Sequence, residues 1–166
     1  MSQKLEFAAG DFVVFPAHGV GRVEGIETLQ IAGQEVSLYA ITFEKERMRL
    51  KVPITKAKTS GLRRLSSKER LKSALETLEG RARVKRTMWS RRAQEYEAKI
   101  NSGDPVSIAE VLRDLRRNAD QSEQSYSERQ IYQSALERLA RELAAVERID
   151  EQKAAQRLEA VLSKVA

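Results

Sequence analysis

The spacing of apolar residues changes once along this chain, and that change constrains the fold more than any other feature. Up to Pro53 the apolar residues alternate or form short runs; after Gly61 they recur with a period near 3.6. Met48, Leu50 and Val52 alternate with Arg49 and Lys51, the pattern of a half-buried strand, and Pro53 ends it. Phe12-Val13-Val14-Phe15 is a short apolar run closed by the turn signal Pro16-Ala17-His18-Gly19. Residues 20–31 form a longer segment in which Gly25 predicts a bulge or bend. Ala32-Gly33-Gln34 then makes a hairpin turn into the nearly continuous apolar strand 36–43. These segments predict a small, strongly bent sheet or partial barrel. Its core is thin, so it leans on a partner or on the second half.

The second half reads as helices. Ser66 and Glu69 form a capping box that opens a helix through Leu71, Leu75 and Leu78, and Gly80 stops it. Residues 81–87 carry no apolar rhythm and read as a loop. A second helix starts near Thr87 and ends at Asn101-Ser102-Gly103. Asp104 before Pro105 places a side-chain acceptor at the cap and proline at the first helical position. Ile108, Val111, Leu112 and Leu115 stripe that third helix, which frays near Asn118. Ser125 and Glu128 repeat the capping box, and Ile131, Ala135, Leu139, Leu143 and Val146 continue at helical intervals. A break near Ile149-Asp150 separates a last helix carrying Leu158, Val161, Leu162 and Val165. The fold class is therefore α+β, with a β-domain over residues 1–60 and a compact helical domain over 61–166.

Composition excludes several chemistries. No cysteine means no disulfide framework and no thiolate zinc site, and a single histidine leaves no cluster for a metal. No apolar run reaches membrane-spanning length, and the N-terminus lacks a signal-peptide core. A soluble cytoplasmic protein without cofactor is expected. His18 sits in a turn, where a ring bonded to backbone is the simpler role than a general base. Gly19-Val20-Gly21 lacks the third glycine, the following helix and the Lys-Ser/Thr of a phosphate loop. Glu110 and Asp114 lie at helical spacings from Arg113, Arg116 and Arg117, the pattern of a solvated, salt-bridged face. No catalytic constellation emerges, and the chain reads as a protein that acts by binding.

The charge distribution says where. The net charge is +6, yet residues 61–100 alone carry 12 basic and 5 acidic side chains, so this stretch supplies the whole excess. Between residues 81 and 92 there are six basic residues and no acidic one. This is the electrostatic footprint of a nucleic-acid binder. Trp89, the single tryptophan, sits inside it, in Lys85-Arg86-Thr87-Met88-Trp89-Ser90-Arg91-Arg92. Two roles fit it. An aromatic plate among cations at a helix N-terminus can wedge against a base while guanidinium groups hold phosphates. Equally, Trp89, Ala93, Tyr96 and Ile100 fall at the spacing of an ordinary core stripe.

The segments taken together resemble the CarD family of bacterial transcription regulators, over roughly residues 7–165. The resemblance rests on 10–21 (Gly-Asp-Phe-Val-Val-Phe-Pro-Ala-His-Gly-Val-Gly), Met48-Arg49-Leu50-Lys51-Val52-Pro53, Gly61-Leu62-Arg63, Trp89-Ser90-Arg91-Arg92 and Ala109-Glu110-Val111-Leu112-Arg113-Asp114-Leu115, in this order. It implies a Tudor-like N-terminal domain that docks on the RNA polymerase β-subunit. It also implies a helical domain touching promoter DNA at the upstream edge of the transcription bubble, working as a monomer with little sequence specificity. By resemblance Trp89 wedges into the minor groove, Arg86, Arg91 and Arg92 position phosphates beside it, and Arg129 matches a further basic contact. The docking edge maps to Leu29, Ile31, Lys51 and Pro53. Relatives carry arginine at the positions of Leu29 and Lys51, which implies a more apolar or weaker polymerase contact here. Two other readings remain open on the residues alone: an RNA- or ribosome-binding module, and an adaptor whose basic stretch meets acidic protein.

Overall fold

The computed structural model describes residues 7–43, 47–81, 88–119 and 126–164. The chain divides into two units, Met1–Leu65 and Ser66–Ala166.

The first unit is one antiparallel sheet of strands β1 (Phe12–Phe15), β2 (Gly19–Ile31), β3 (Gln34–Phe43), β4 (Met48–Pro53) and β5 (Arg63–Arg64), in the order β4-β3-β2-β1-β5. The expected bulge is present: the β2–β3 register shifts between Val23 and Gly25. The hairpin loop is the pair Ala32-Gly33, since Ile31 faces Gln34 directly. Both loop residues have positive φ, 51° and 77°, the geometry that matches the right-handed twist of the flanking strands. Gly21 marks a close approach. A Cβ there would come within 2.8 Å of the Ile41 and Phe43 side chains. Val13, Val23, Tyr39, Ile41, Phe43 and Val52 form the core with Phe7, Ala57 and Leu62. His18 lies between the rings of Phe15 and Phe43, at 5.6 and 5.5 Å, in the turn expected for it.

One strand escapes the sequence pattern. Arg63 and Arg64 pair with Val14 and Val13, so residues 61–65 complete the sheet rather than open the helical unit. Two residues are too few for a period, and only their partner strand makes them a strand.

The second unit holds α1 (Lys68–Glu79), α2 (Trp89–Asn101), α3 (Pro105–Ala119), α4 (Tyr126–Glu147) and α5 (Glu151–Lys164). α1 packs on α3 and α5, α2 on α3 and α4, and α4 on α3 and α5. The predicted stripes supply the core: Leu71 and Leu78, Tyr96 and Ile100, Ile108 to Leu115, Ile131 to Leu143, and Leu158 with Leu162. Val165 and Ser125 lie outside the described residues.

Two local expectations are corrected. The cap of α1 is Ser67, whose Oγ accepts from the Arg70 N–H at 3.1 Å. Ser66 instead donates its own N–H to the buried Glu142 carboxylate of α4 at 2.8 Å. The ion pairs of α3 do not form a solvated face. Glu110 pairs with Lys99 of α2 at 2.9 Å and Arg116 with Glu159 of α5 at 3.3 Å. Arg113 and Asp114 pair with each other and are buried. Helix packing brings the first two of these pairs together across helices. Asp104 caps α3 as expected, accepting from the Ser107 N–H and hydroxyl and from Arg70 at 2.7 Å. Burial pushes its carboxyl up, but the bonds from Arg70 and Ser107 outweigh this and hold it below the ordinary value of 3.8.

Candidate nucleic-acid and partner interfaces

Trp89 is the first residue of α2, and its environment combines both sequence readings. The stripe continues inward, with Tyr96 and Ile100 buried and Trp89 and Ala93 packed partly against them. The indole is half-buried rather than enclosed. Its Nε1–H donates to Ser127 Oγ in the first turn of α4 at 3.3 Å. The Arg92 guanidinium stands over the ring at 5.2 Å, a cation–π contact, and the Tyr96 ring is tilted against it at 6.2 Å.

Three of the four sequence-predicted cations lie among the described residues. Arg92 touches the indole directly, so its first role is to cover a ring face. Arg91 is exposed in the same first turn, where the amides of both arginines bond the Met88 carbonyl at 3.1 Å. Arg129 is exposed two residues beyond Ser127 and, since residues two apart on a helix do not share a face, lies on a different side of α4 from it. Arg86 lies outside the described residues. Among the described residues, neither Arg91 nor Arg129 has a carboxylate partner. Sequence reasoning missed Met88 and Tyr126, which are 78% and 72% exposed immediately before Trp89 and Ser127. Exposed large apolar side chains beside cations suit a ligand with flat apolar faces and a charged backbone. The signal was available in Ser125-Tyr126-Ser127-Glu128-Arg129, a run with the look of a helix cap that also carries an aromatic.

The second surface lies on the sheet. Leu38 faces Glu27 and Pro53, Val36 faces Leu29, and Ala40 faces Lys51, so alternation puts Leu29, Ile31, Lys51 and Pro53 on one face. It is opposite the face of Tyr39, Ile41 and Val52. Leu29 and Ile31 are exposed at 38% and 54%, and Pro53 is half-buried. The cations here are matched. Lys51 Nζ pairs with Glu27 at 2.9 Å, and Arg49 pairs with Glu24. The nearby Thr42 hydroxyl and the Arg49 guanidinium hold the Glu24 carboxyl below its ordinary range. The glutamates were not anticipated as part of this surface, because the bulge between Val23 and Gly25 sets which β2 residues share it.

The chain is thus an α+β protein with a charge-paired, partly apolar sheet face and an aromatic, cationic helical end. Residues 7–66 match the family described as "CarD-like/TRCF RID domain" and residues 73–159 the family described as "CarD, C-terminal domain". The chain belongs to the CarD family of transcription regulators, its sheet unit matching that family's RNA polymerase-interacting domain. It is 28% identical over 145 residues to YdeB of Bacillus subtilis (strain 168), named as a candidate transcription factor, covering 87% of this chain and 95% of that protein. It is also similar to two solved structures. CdnLNt of Myxococcus xanthus is 38% identical, with 41% of this chain and 96% of that one covered and a TM-score of 0.33. The N-terminal domain of Myxococcus xanthus CarD is 35% identical, with 38% and 84% covered and a TM-score of 0.32. This family is one of regulators and not a known enzyme family. Among the described residues, no helix is long and apolar enough to cross a membrane, and no three His, Asp or Glu side chains converge as metal ligands.

Proposed function

We propose that this protein regulates transcription initiation by docking on the β-subunit of RNA polymerase and stabilising the promoter open complex. The sheet face of Leu29, Ile31, Lys51 and Pro53 is the docking surface. Trp89 meets the minor groove at the upstream edge of the bubble, with Arg86, Arg91, Arg92 and Arg129 on the flanking phosphates. The observation that carries this reading is the half-buried Trp89 at the head of α2, stacked by Arg92 and bordered by the exposed Met88 and Tyr126. A half-buried aromatic at a helix end, with exposed cations in the first turns of α2 and α4, suits the two parts of a minor-groove wedge: an apolar insert and phosphate contacts.

The mechanism needs little energy. Favouring the open over the closed complex by about 1.4 kcal/mol shifts their ratio tenfold. Docking on polymerase raises the local concentration of the helical unit at the promoter, so neither contact has to be tight alone. Nothing in α1 to α5 presents regularly spaced Asn, Gln and Arg base readers, so sequence preference is slight and arises through bubble shape. The protein acts as a monomer in the cytoplasm and requires no cofactor.

The test is retention of the chain on polymerase β-subunit fragments, combined with open-complex lifetime on a linear promoter. Trp89→Ala is expected to stay bound to the β-subunit and to lose the lifetime extension. A folded Trp89→Ala variant with an unchanged lifetime would falsify the wedge.

A further inference from the structure

We infer that Ser127 is a positioning residue for Trp89, fixing the indole in the orientation in which it meets DNA. The inference rests on the proposed role of Trp89 and extends it to a residue on a different helix.

Among the described residues, three groups hold the indole. Ser127 Oγ accepts from Nε1 at 3.3 Å, Arg92 covers the ring at 5.2 Å, and Tyr96 is tilted against it at 6.2 Å. Arg92 and Tyr96 belong to the same helix as Trp89 and restrain the ring by stacking, without a directional bond to its Nε1. Ser127 is 38 residues away in sequence and, among the described residues, is the hydrogen-bond acceptor for the ring, reaching it from the first turn of α4. That bond also joins the two segments carrying the exposed Met88 and Tyr126, so it sets the spacing of the three apolar side chains. A side chain already ordered before binding loses less freedom on binding.

Ser127 suits a clean experiment. It is exposed, alanine is the better helix former, and the chain contains one tryptophan, so intrinsic fluorescence reports on Trp89 alone. Full-length wild type, Ser127→Ala, Ser127→Thr and Trp89→Ala would be compared by thermal midpoint, Trp89 anisotropy and open-complex lifetime with intact polymerase. Ser127→Ala is expected to keep its thermal midpoint, lower the anisotropy, and shorten the lifetime by about threefold to tenfold. Ser127→Thr, which keeps the acceptor, should restore both readouts. Unchanged anisotropy would overturn the bond, and lowered anisotropy with unchanged lifetime would overturn its role in positioning. A longer lifetime would also overturn it, because the contact would then be holding Trp89 back from DNA. Failure of the underlying reading looks different: Trp89→Ala itself would then leave the lifetime unchanged.

Discussion

The two candidate surfaces use the same ingredients, exposed apolar side chains and basic residues, but handle the charge in opposite ways. On the sheet, Lys51 is matched by Glu27 and Arg49 by Glu24. At the helical end, Arg91 and Arg129 have no carboxylate partner among the described residues, and Arg92 is turned onto an indole. A surface with its charges already paired gains from shape and from apolar contact. One with unpaired cations gains from a polyanion, whose counterions it releases. The comparison teaches that net charge is a poor guide to either surface, and that pairing separates them.

Salt should divide the two most strongly. If the six basic residues between 81 and 92 all meet phosphates, DNA affinity falls by about three decades between 50 and 200 mM salt. Docking on the β-subunit should weaken less than about tenfold over the same range, since its ion pairs are internal. Parallel titrations by fluorescence anisotropy check this, and equal slopes would erase the distinction. Packing gives the next effect. Gly21→Ala drives a Cβ into Ile41 and Phe43 and should cost the sheet about 1–3 kcal/mol, impairing docking while DNA binding persists. Chemical denaturation followed by pull-down reads both consequences.

The cap of α3 makes a smaller, pH-dependent difference. Asp104 is held below its ordinary 3.8 by Arg70 and Ser107, so its contribution is complete above that value and is lost as pH falls through the lowered one. Asp104→Ala should cost the helical unit about 1 kcal/mol near neutral pH, and Asp104→Asn should flatten its acid sensitivity. Circular dichroism melts between pH 2 and pH 7 read this. Smallest is the hairpin loop. Ala32 holds a φ of 51°, which asparagine tolerates better, so Ala32→Asn should stabilise the sheet by about 0.5 kcal/mol without touching the helical unit.

How legible the molecule was in its sequence depended on the range of the interaction. The bulge at Gly25, the loop at Ala32-Gly33, the cap at Asp104-Pro105 and the helix stripes are local, and each was readable from a few neighbouring residues. The strand at Arg63-Arg64 was not, since it exists only through β1. Nor was the bond from the Ser66 N–H, because its partner Glu142 lies 76 residues away. The pairing of Glu110 with Lys99 and of Arg116 with Glu159 likewise needed the helices to be packed. At the candidate site, Trp89 and its cations stood out by composition. Ser127 did not, because its part depends on where the first turn of α4 meets α2.

The central claim is that the sheet face governs occupancy on polymerase while Trp89 governs what occupancy does. Open-complex lifetime measured across a titration of the protein tests it most directly, with wild type, Ile31→Asp and Trp89→Ala compared. The account predicts that Ile31→Asp needs more protein but reaches the wild-type plateau, whereas Trp89→Ala saturates at the same concentration with a plateau near that of polymerase alone. A Trp89→Ala curve that is merely shifted to higher concentration, with its plateau intact, would contradict it.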